Sequence, residues 1–275
     1  CASLNDSDYY AKGYIHEVLH GEVYKSAGVC PHQGWSESMA VLPLTEGVIG
    51  FFPNALKESL TLSPQIPANL SQLSVTGMKC GGANVTMDYE RKQVVGAMVE
   101  VRQRYRIRSD KPLNLDFSPY IPKQSGPIAV SVRFRYTERD NESLIPETVY
   151  RYKSCDDLPV SDRGNHSVKI SLPTDRLMGE MVVEITYQTP FELKAVIPVF
   201  IEQEPSRLPR ILGWEKRNGR WAIEIEAPGN REVTLEGFVG EKCHVKGATY
   251  REGRFYCRAE GAENEYHPHT IEIEG

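Results

Sequence analysis

The chain has 275 residues, a formal charge of −5, and 40% hydrophobic against 25% charged residues, a balance that excludes wholesale disorder, a fibrous repeat or a collagen-like chain. This length exceeds that of an average single domain, so two packed domains are expected. Mild acidity argues against a nucleic-acid partner held by net attraction, and no apolar run approaches the roughly 20 residues of a membrane-spanning helix.

The chain starts Cys1-Ala2-Ser3-Leu4-Asn5, followed by polar Asp6-Ser7-Asp8. This start resembles that of a mature bacterial lipoprotein, in which the first cysteine carries lipid and the next residues form a tether. The resemblance covers only these residues. It implies a lipid anchor on Cys1, a flexible tether over residues 1–12, and a place at the outer membrane or in the periplasm, with the membrane met only through the anchor. A competing signal is that five of the ten asparagines, Asn5, Asn69, Asn84, Asn141 and Asn165, head Asn-x-Ser/Thr sequons. That pattern suits an N-glycosylated eukaryotic or viral ectodomain that binds a host protein. Both readings expect a location outside the cytoplasm.

His16-Glu17-Val18-Leu19-His20 matches H-E-x-x-H, in which two histidines one helical turn apart hold zinc and the glutamate activates water. Only fifteen residues precede His16, and Val23 and Ser26 stand where the extended motif needs Gly and His. His16 and His20 are therefore weak metal candidates, and a zinc hydrolase is kept only as an alternative. Asn54 to Leu60, after Pro53, reads as a helix. Cys80-Gly81-Gly82-Ala83-Asn84 reads as a turn beside a disulfide.

From about residue 92 the pattern turns to alternation rich in β-branched and aromatic residues: Val94 to Ile107, Ile128 to Tyr136, Thr148 to Lys153, Ser167 to Leu172, and Met181 to Tyr187. These are half-buried antiparallel strands, spaced as in a β-sandwich that spans residues 13–201 with an irregular N-terminal part. Within it, period two puts Arg102, Arg104, Arg106 and Arg108 on one face and Val101, Tyr105 and Ile107 on the other. Arg133 and Arg135 repeat the arrangement, as do Arg151 and Lys153. If the three runs are sheet neighbours, eight cations share one face. They are expected either to pair with acids such as Glu100, Glu138 and Glu147, or to grip an acidic protein or an anionic glycan, for which guanidinium forks are suited.

Residues 202–209, with Pro205 and Pro209, read as a linker to a small second domain over 210–275. There Arg220 to Glu226, Glu232 to Phe238 and Thr270 to Glu274 alternate, with turns at Asn218-Gly219 and Pro228-Gly229-Asn230. The pattern suggests a small immunoglobulin-like sandwich, alike in architecture only. Cys243 and Cys257 are expected to face each other across a hairpin turning at Gly253 and to form a disulfide. Cys30, Cys80 and Cys155 have no assignable pairing. Tyr266-His267-Pro268-His269 reads as a solvated terminal segment. No nucleophile elbow, Walker loop or dinucleotide fingerprint occurs, so no cofactor is expected. The expectation is an all-β, two-domain extracytoplasmic protein that binds an acidic macromolecule, as an inhibitor, an immunity-type lipoprotein or an envelope assembly component, and is not an enzyme.

Overall fold

A computed structural model describes residues 38–39, 41–138, 141–144, 147–164, 166–172, 176–197, 207–263 and 265–275. The tether, Cys1, Asn5, the His16-Glu17 motif with His20, Cys30 and Asn165 lie outside the described residues, as does most of the 202–209 linker. Strands run in chain order as β1 (Phe51–Asn54), β2 (Ser59–Leu62), β3 (Gln72–Cys80), β4 (Ala83–Val95), β5 (Val99–Phe117), β6 (Tyr120–Pro122) and β7 (Ile128–Glu138). Then come β8 (Asn141–Leu144), β9 (Thr148–Tyr152), β10 (Val160–Arg163), β11 (Ser167–Ile170), β12 (Arg176–Thr189) and β13 (Phe191–Leu193). The last seven are β14 (Arg210–Arg217), β15 (Arg220–Pro228), β16 (Glu232–Val239), β17 (His244–Lys246), β18 (Thr249–Arg251), β19 (Arg254–Arg258) and β20 (Tyr266–Glu274).

The chain is an all-β sandwich protein. A nine-stranded sheet follows the order β1-β2-β5-β12-β7-β8, with β3-β4 attached to β5 and β9 to β7. Every pairing in it is antiparallel except β2 with β5, where Ser59 lies opposite Asn114. The nineteen-residue β5 is the spine, since β4 pairs with its first half and β2 with its second. Odd residues of β5, β4, β12 and even residues of β7 enter one core with Val101, Tyr105, Ile107, Met87, Val183 and Val130, all 0% exposed. A three-stranded sheet, β10-β11-β6, contributes Val168, Ile170 and Ile121 to the same core. A second core lies between two four-stranded sheets, β13-β16-β19-β18 and β14-β15-β20-β17, around Ile223, Ile225, Phe255 and Ile271.

Two local expectations fail for identifiable reasons. Asn54 to Leu60 is a hairpin: the Asn54 side chain accepts from the Lys57 backbone N–H at 3.2 Å, Glu58 turns at φ 46°, and Ser59 onward returns as β2 against β1. Asn capping competes with helix propagation, and the apolar alternation of Leu60 and Leu62 wins a buried strand. Tyr266 to His269 opens β20 and pairs with β15 from Pro228 to Ile225, so it is not a solvated tail.

The two cores are fastened by specific bonds. The backbone N–H groups of Glu241 and Lys242 donate to the carbonyls of Gly96 and Ala97 at 2.7 and 3.3 Å, and Gly240 sits so close that a Cβ there would meet Ala97 O at 2.5 Å. Only glycine lets the β16–β17 turn approach the β4–β5 turn this closely. Asn69 clamps Ala195, donating from Nδ2 to its carbonyl at 3.0 Å and accepting from its N–H at 2.6 Å.

Candidate functional site

The arginine ladder is real and single-faced. Arg102, Arg104, Arg106 and Arg108 alternate along β5 with buried Val101, Gln103, Tyr105 and Ile107. The three basic runs are not all direct neighbours, however: β7 and β9 pair, but β5 does not pair with β7. β12 lies between β5 and β7, and it carries Glu180 and Glu184 outward between the arginine rows. On the other side of β5, Asp88 and Glu90 of β4 stand opposite Arg106 and Arg104. Like charges directly opposite one another are costly in a sheet, and the interposed acidic strands relieve that cost.

The pairing is uneven. Glu184 Oε1 serves two guanidiniums, Arg104 Nε at 3.5 Å and Arg133 Nη2 at 3.1 Å. Glu180 likewise serves Arg106 Nε at 3.4 Å and Arg135 Nη1 at 3.9 Å. Arg108 pairs with Asp88, which also accepts from Ser74 Oγ at 2.7 Å. Among the described side chains the partners are Glu180, Glu184 and Asp88, in place of the expected Glu100 and Glu147; the side chain of the third expected partner, Glu138, lies outside the described ones. Over the stretch of β5 from Glu100 to Arg108 and the strands beside it, the described residues put eight cations on the face against five carboxylates, an excess of three on a chain whose net charge is −5. The eight are Lys92, Arg102, Arg104, Arg106, Arg108, Arg133, Arg135 and Arg151, and the acids are Asp88, Glu90, Glu100, Glu180 and Glu184. Among the described residues Arg102 and Arg151 have no ion-pair partner. The guanidiniums stay open to solvent, from 38% exposed at Arg104 to 65% at Arg135. Lys153 does not join them: it lies past the end of β9, where its backbone N–H donates to Asp157 and the Ser154 capping box turns the chain away.

Behind the face lies a buried polar network. Arg91 of β4, 4% exposed, pairs with Glu192 of β13, 5% exposed, so one ion pair joins the two cores. Tyr187 Oη donates to Glu192 Oε1 at 3.1 Å, and Tyr105 Oη to Gln103 Oε1 at 3.3 Å. Burial pushes the Tyr105 and Tyr187 phenols well above their ordinary value, so both stay protonated donors. Burial by itself lowers Arg91, but the Glu192 carboxylate leads the opposing effects and the guanidinium ends above its usual value. The two phenols and the guanidinium therefore keep their protons at neutral pH.

The cysteines and sequons complete the inventory. Cys243 and Cys257 are free thiols, which corrects the expected bridge. The hairpin does turn at Glu252-Gly253, but its register pairs Thr249 with Tyr256, so one further step sets Ala248, not Cys243, across from Cys257. Cys243 precedes β17, which joins β20 of the opposite sheet. A disulfide needs Cα atoms within about 7 Å and converging Cβ vectors. Cys80 closes the tight β3–β4 turn as expected, yet without a disulfide, its thiol donating to Ser59 O at 3.2 Å. Of the sequons, Asn69 holds Ala195, Asn84 Nδ2 donates to Asp110 at 2.8 Å, and Asn141 opens β8. Among the described residues no group of three or more His, Cys, Asp or Glu side chains is placed to hold a metal. No helix among them is long and apolar enough to cross a membrane.

Fold and face together define a class: an all-β sandwich protein with one open, cation-rich sheet face. No protein-family model, curated protein or solved structure matches the chain.

Proposed function

We propose that this chain is an extracytoplasmic binding protein that recognises an acidic macromolecule, an acidic protein or anionic glycan, through the open face of its large sheet. The observation that carries the reading is the sharing of Glu180 and Glu184, each between two arginines, which leaves guanidinium donors uncommitted on an exposed surface. Arginine presents five N–H donors in a planar fork, so one carboxylate contact does not exhaust it. Along β5, Arg102 to Arg108 spans about 20 Å at the usual strand rise, a length suited to an extended polyanion lying along the strand.

Arg102 and Arg151 give the cleanest test, since neither holds an ion pair within the described structure. The Arg102→Glu, Arg151→Glu double variant is expected to elute from an immobilised sulfated polysaccharide or polyglutamate at clearly lower salt than wild type. Its melting temperature should stay unchanged, because exposed charges of this kind contribute about 0–1 kcal/mol to stability. Equal elution of both proteins refutes the reading.

A further inference from the structure

The two sides of β5 differ in what they leave unpaired. On the core side an apolar cleft of about 300 Å³, lined by Trp214, Tyr120, Ile66 and Gln103 among others, has Gln65, Gln124 and Glu192 bonded within the protein. On the outer side the cross-strand register sorts the cations into two kinds of row. Arg104 stands between Glu90 and Glu184, whereas Arg102, one step along the strand, stands between Lys92 and Thr186. Continued beyond β12, the Arg102 row passes Ala129 of β7 and ends at Arg151 of β9. It carries cations and no carboxylate.

Lys92 and Arg102 are exposed, directly opposite each other, and without an ion-pair partner among the described residues. Side chains so placed have Cβ atoms about 4.5–5.5 Å apart, and a like-charge pair at that distance is destabilising unless an anion answers it. The Thr186 hydroxyl, next on the same row, adds an uncharged donor. Beside this row, between β3, β4 and β5, lies a polar trough of about 470 Å³ lined chiefly by Gln72, Ser74, Asp88, Glu90, Arg104 and Arg106. Asp88 is committed to Arg108 and Ser74, but the exposed Glu90 has no ion-pair partner among the described residues. Arg104 and Arg106 keep donors beyond those aimed at Glu184 and Glu180. The trough therefore offers an acceptor as well as donors, which suits hydroxyls and repels a second anionic group. Outward side chains of β4 from Asp88 to Lys92 and of β5 from Arg102 to Arg106 are all charged, and give nucleic-acid bases no aromatic platform.

We propose, resting on the reading of this face as an anion binder, that its ligand is a sulfated glycan. A sulfate half-ester sits over Lys92, Arg102 and Thr186, and the neighbouring sugar hydroxyls lie in the trough, one of them donating to Glu90. Three donors match the three free oxygens of a sulfate ester better than the two of a carboxylate. An acidic peptide fits less well, because a second carboxylate one step along, about 7 Å at the usual strand rise, meets Glu90.

The test titrates three probes of matched length and charge into the full chain: a chondroitin sulfate tetrasaccharide, tetragalacturonate and tetraglutamate. With the wild-type protein the sulfated probe should bind about 2- to 12-fold more tightly than tetragalacturonate, the worth of one further hydrogen bond. The Lys92→Gln, Arg102→Gln double variant should bind the sulfated probe at least about tenfold more weakly. That loss should exceed the loss in Arg133→Gln, Arg135→Gln, which takes the same charge from the β7 side of the face. Glu90→Ala should act with opposite signs, weakening the sulfated probe, which loses its acceptor, and strengthening tetraglutamate, which loses a like charge. Equal losses in the two double variants, a carboxylate probe binding as tightly as the sulfated one, or a gain for the sulfated probe in Glu90→Ala overturns the sulfated-glycan assignment and leaves the face an anion binder. Binding of none of the three probes overturns both.

Discussion

The Arg91–Glu192 pair offers the sharpest stability test, because it is buried, isolated from water, and reaches from the large sheet to the small sandwich. Replacing Glu192 by Gln keeps volume and an acceptor for Tyr187 but strands a guanidinium that is 1% exposed at its side chain. Breaking a buried pair in this way costs about 3–5 kcal/mol, since the remaining charge is uncompensated. At a urea slope of about 3 kcal/mol/M, the midpoint should fall by about 1 M or more. Arg91→Met should cost a similar amount at neutral pH, with a diagnostic difference. A stranded carboxylate can take up a proton as pH falls and so shed its charge, whereas a stranded guanidinium cannot. The Arg91→Met penalty should therefore shrink toward acid pH, and the Glu192→Gln penalty should not. The double variant should be clearly more stable than the sum of the single losses predicts. Urea melts at two pH values check all of this. Single losses below about 1 kcal/mol, or strict additivity, would show that the pair is not the fastener described here.

Two smaller predictions follow from the cysteines and from His166. Cys243 and Cys257 should remain unlinked after air oxidation, and Cys257, pushed up to about 11 by burial and by Glu232, should resist alkylation at pH 8 in the native state; peptide mapping with and without denaturant checks both. His166 should titrate below 6.5 by NMR. Its folded-state value is depressed, so the stability it contributes is full above the unfolded value and is lost as pH falls through that range. This effect should be absent in His166→Gln, and a value at or above 6.5 would refute it.

Much of the fold is legible because period two is a local signal. β5, β7, β12, β15 and β20 were all visible as alternating runs, and so was the Asn218-Gly219 turn, whose two residues take φ of 50° and 83° as a tight hairpin requires. What alternation fixes is which side chains share a face. It does not say which strand is the neighbour. The interposition of β12 between β5 and β7 illustrates this: Glu180 and Glu184 could be placed on the outer side of their strand, but only the sheet order reveals that they fall between arginines. The Cys243 expectation fails similarly, because a hairpin shifted by two to three residues from its assumed centre places a different residue across from Cys257. Glu192 was missed for another reason. A lone acid in Phe191-Glu192-Leu193 carries no sequence sign of burial, and its partner Arg91 is a hundred and one residues away.

The same alternation sets the arginine face and the apolar cleft on opposite sides of one strand. Along β5 the even residues Arg102 and Arg104 point to the open face, while Gln103 between them points to the cleft. Adjacent side chains on a strand lie on opposite sides of the sheet, so the face and the cleft stand back to back with the backbone and its ladder bonds between them. Substitutions on one side need not disturb the other if the register holds. Because β5 is bonded on both sides along this stretch, by β4 and by β12, a register slip would have to break two ladders at once. The strand that carries the four arginines is thus held in register from both sides, so their spacing along the face is fixed.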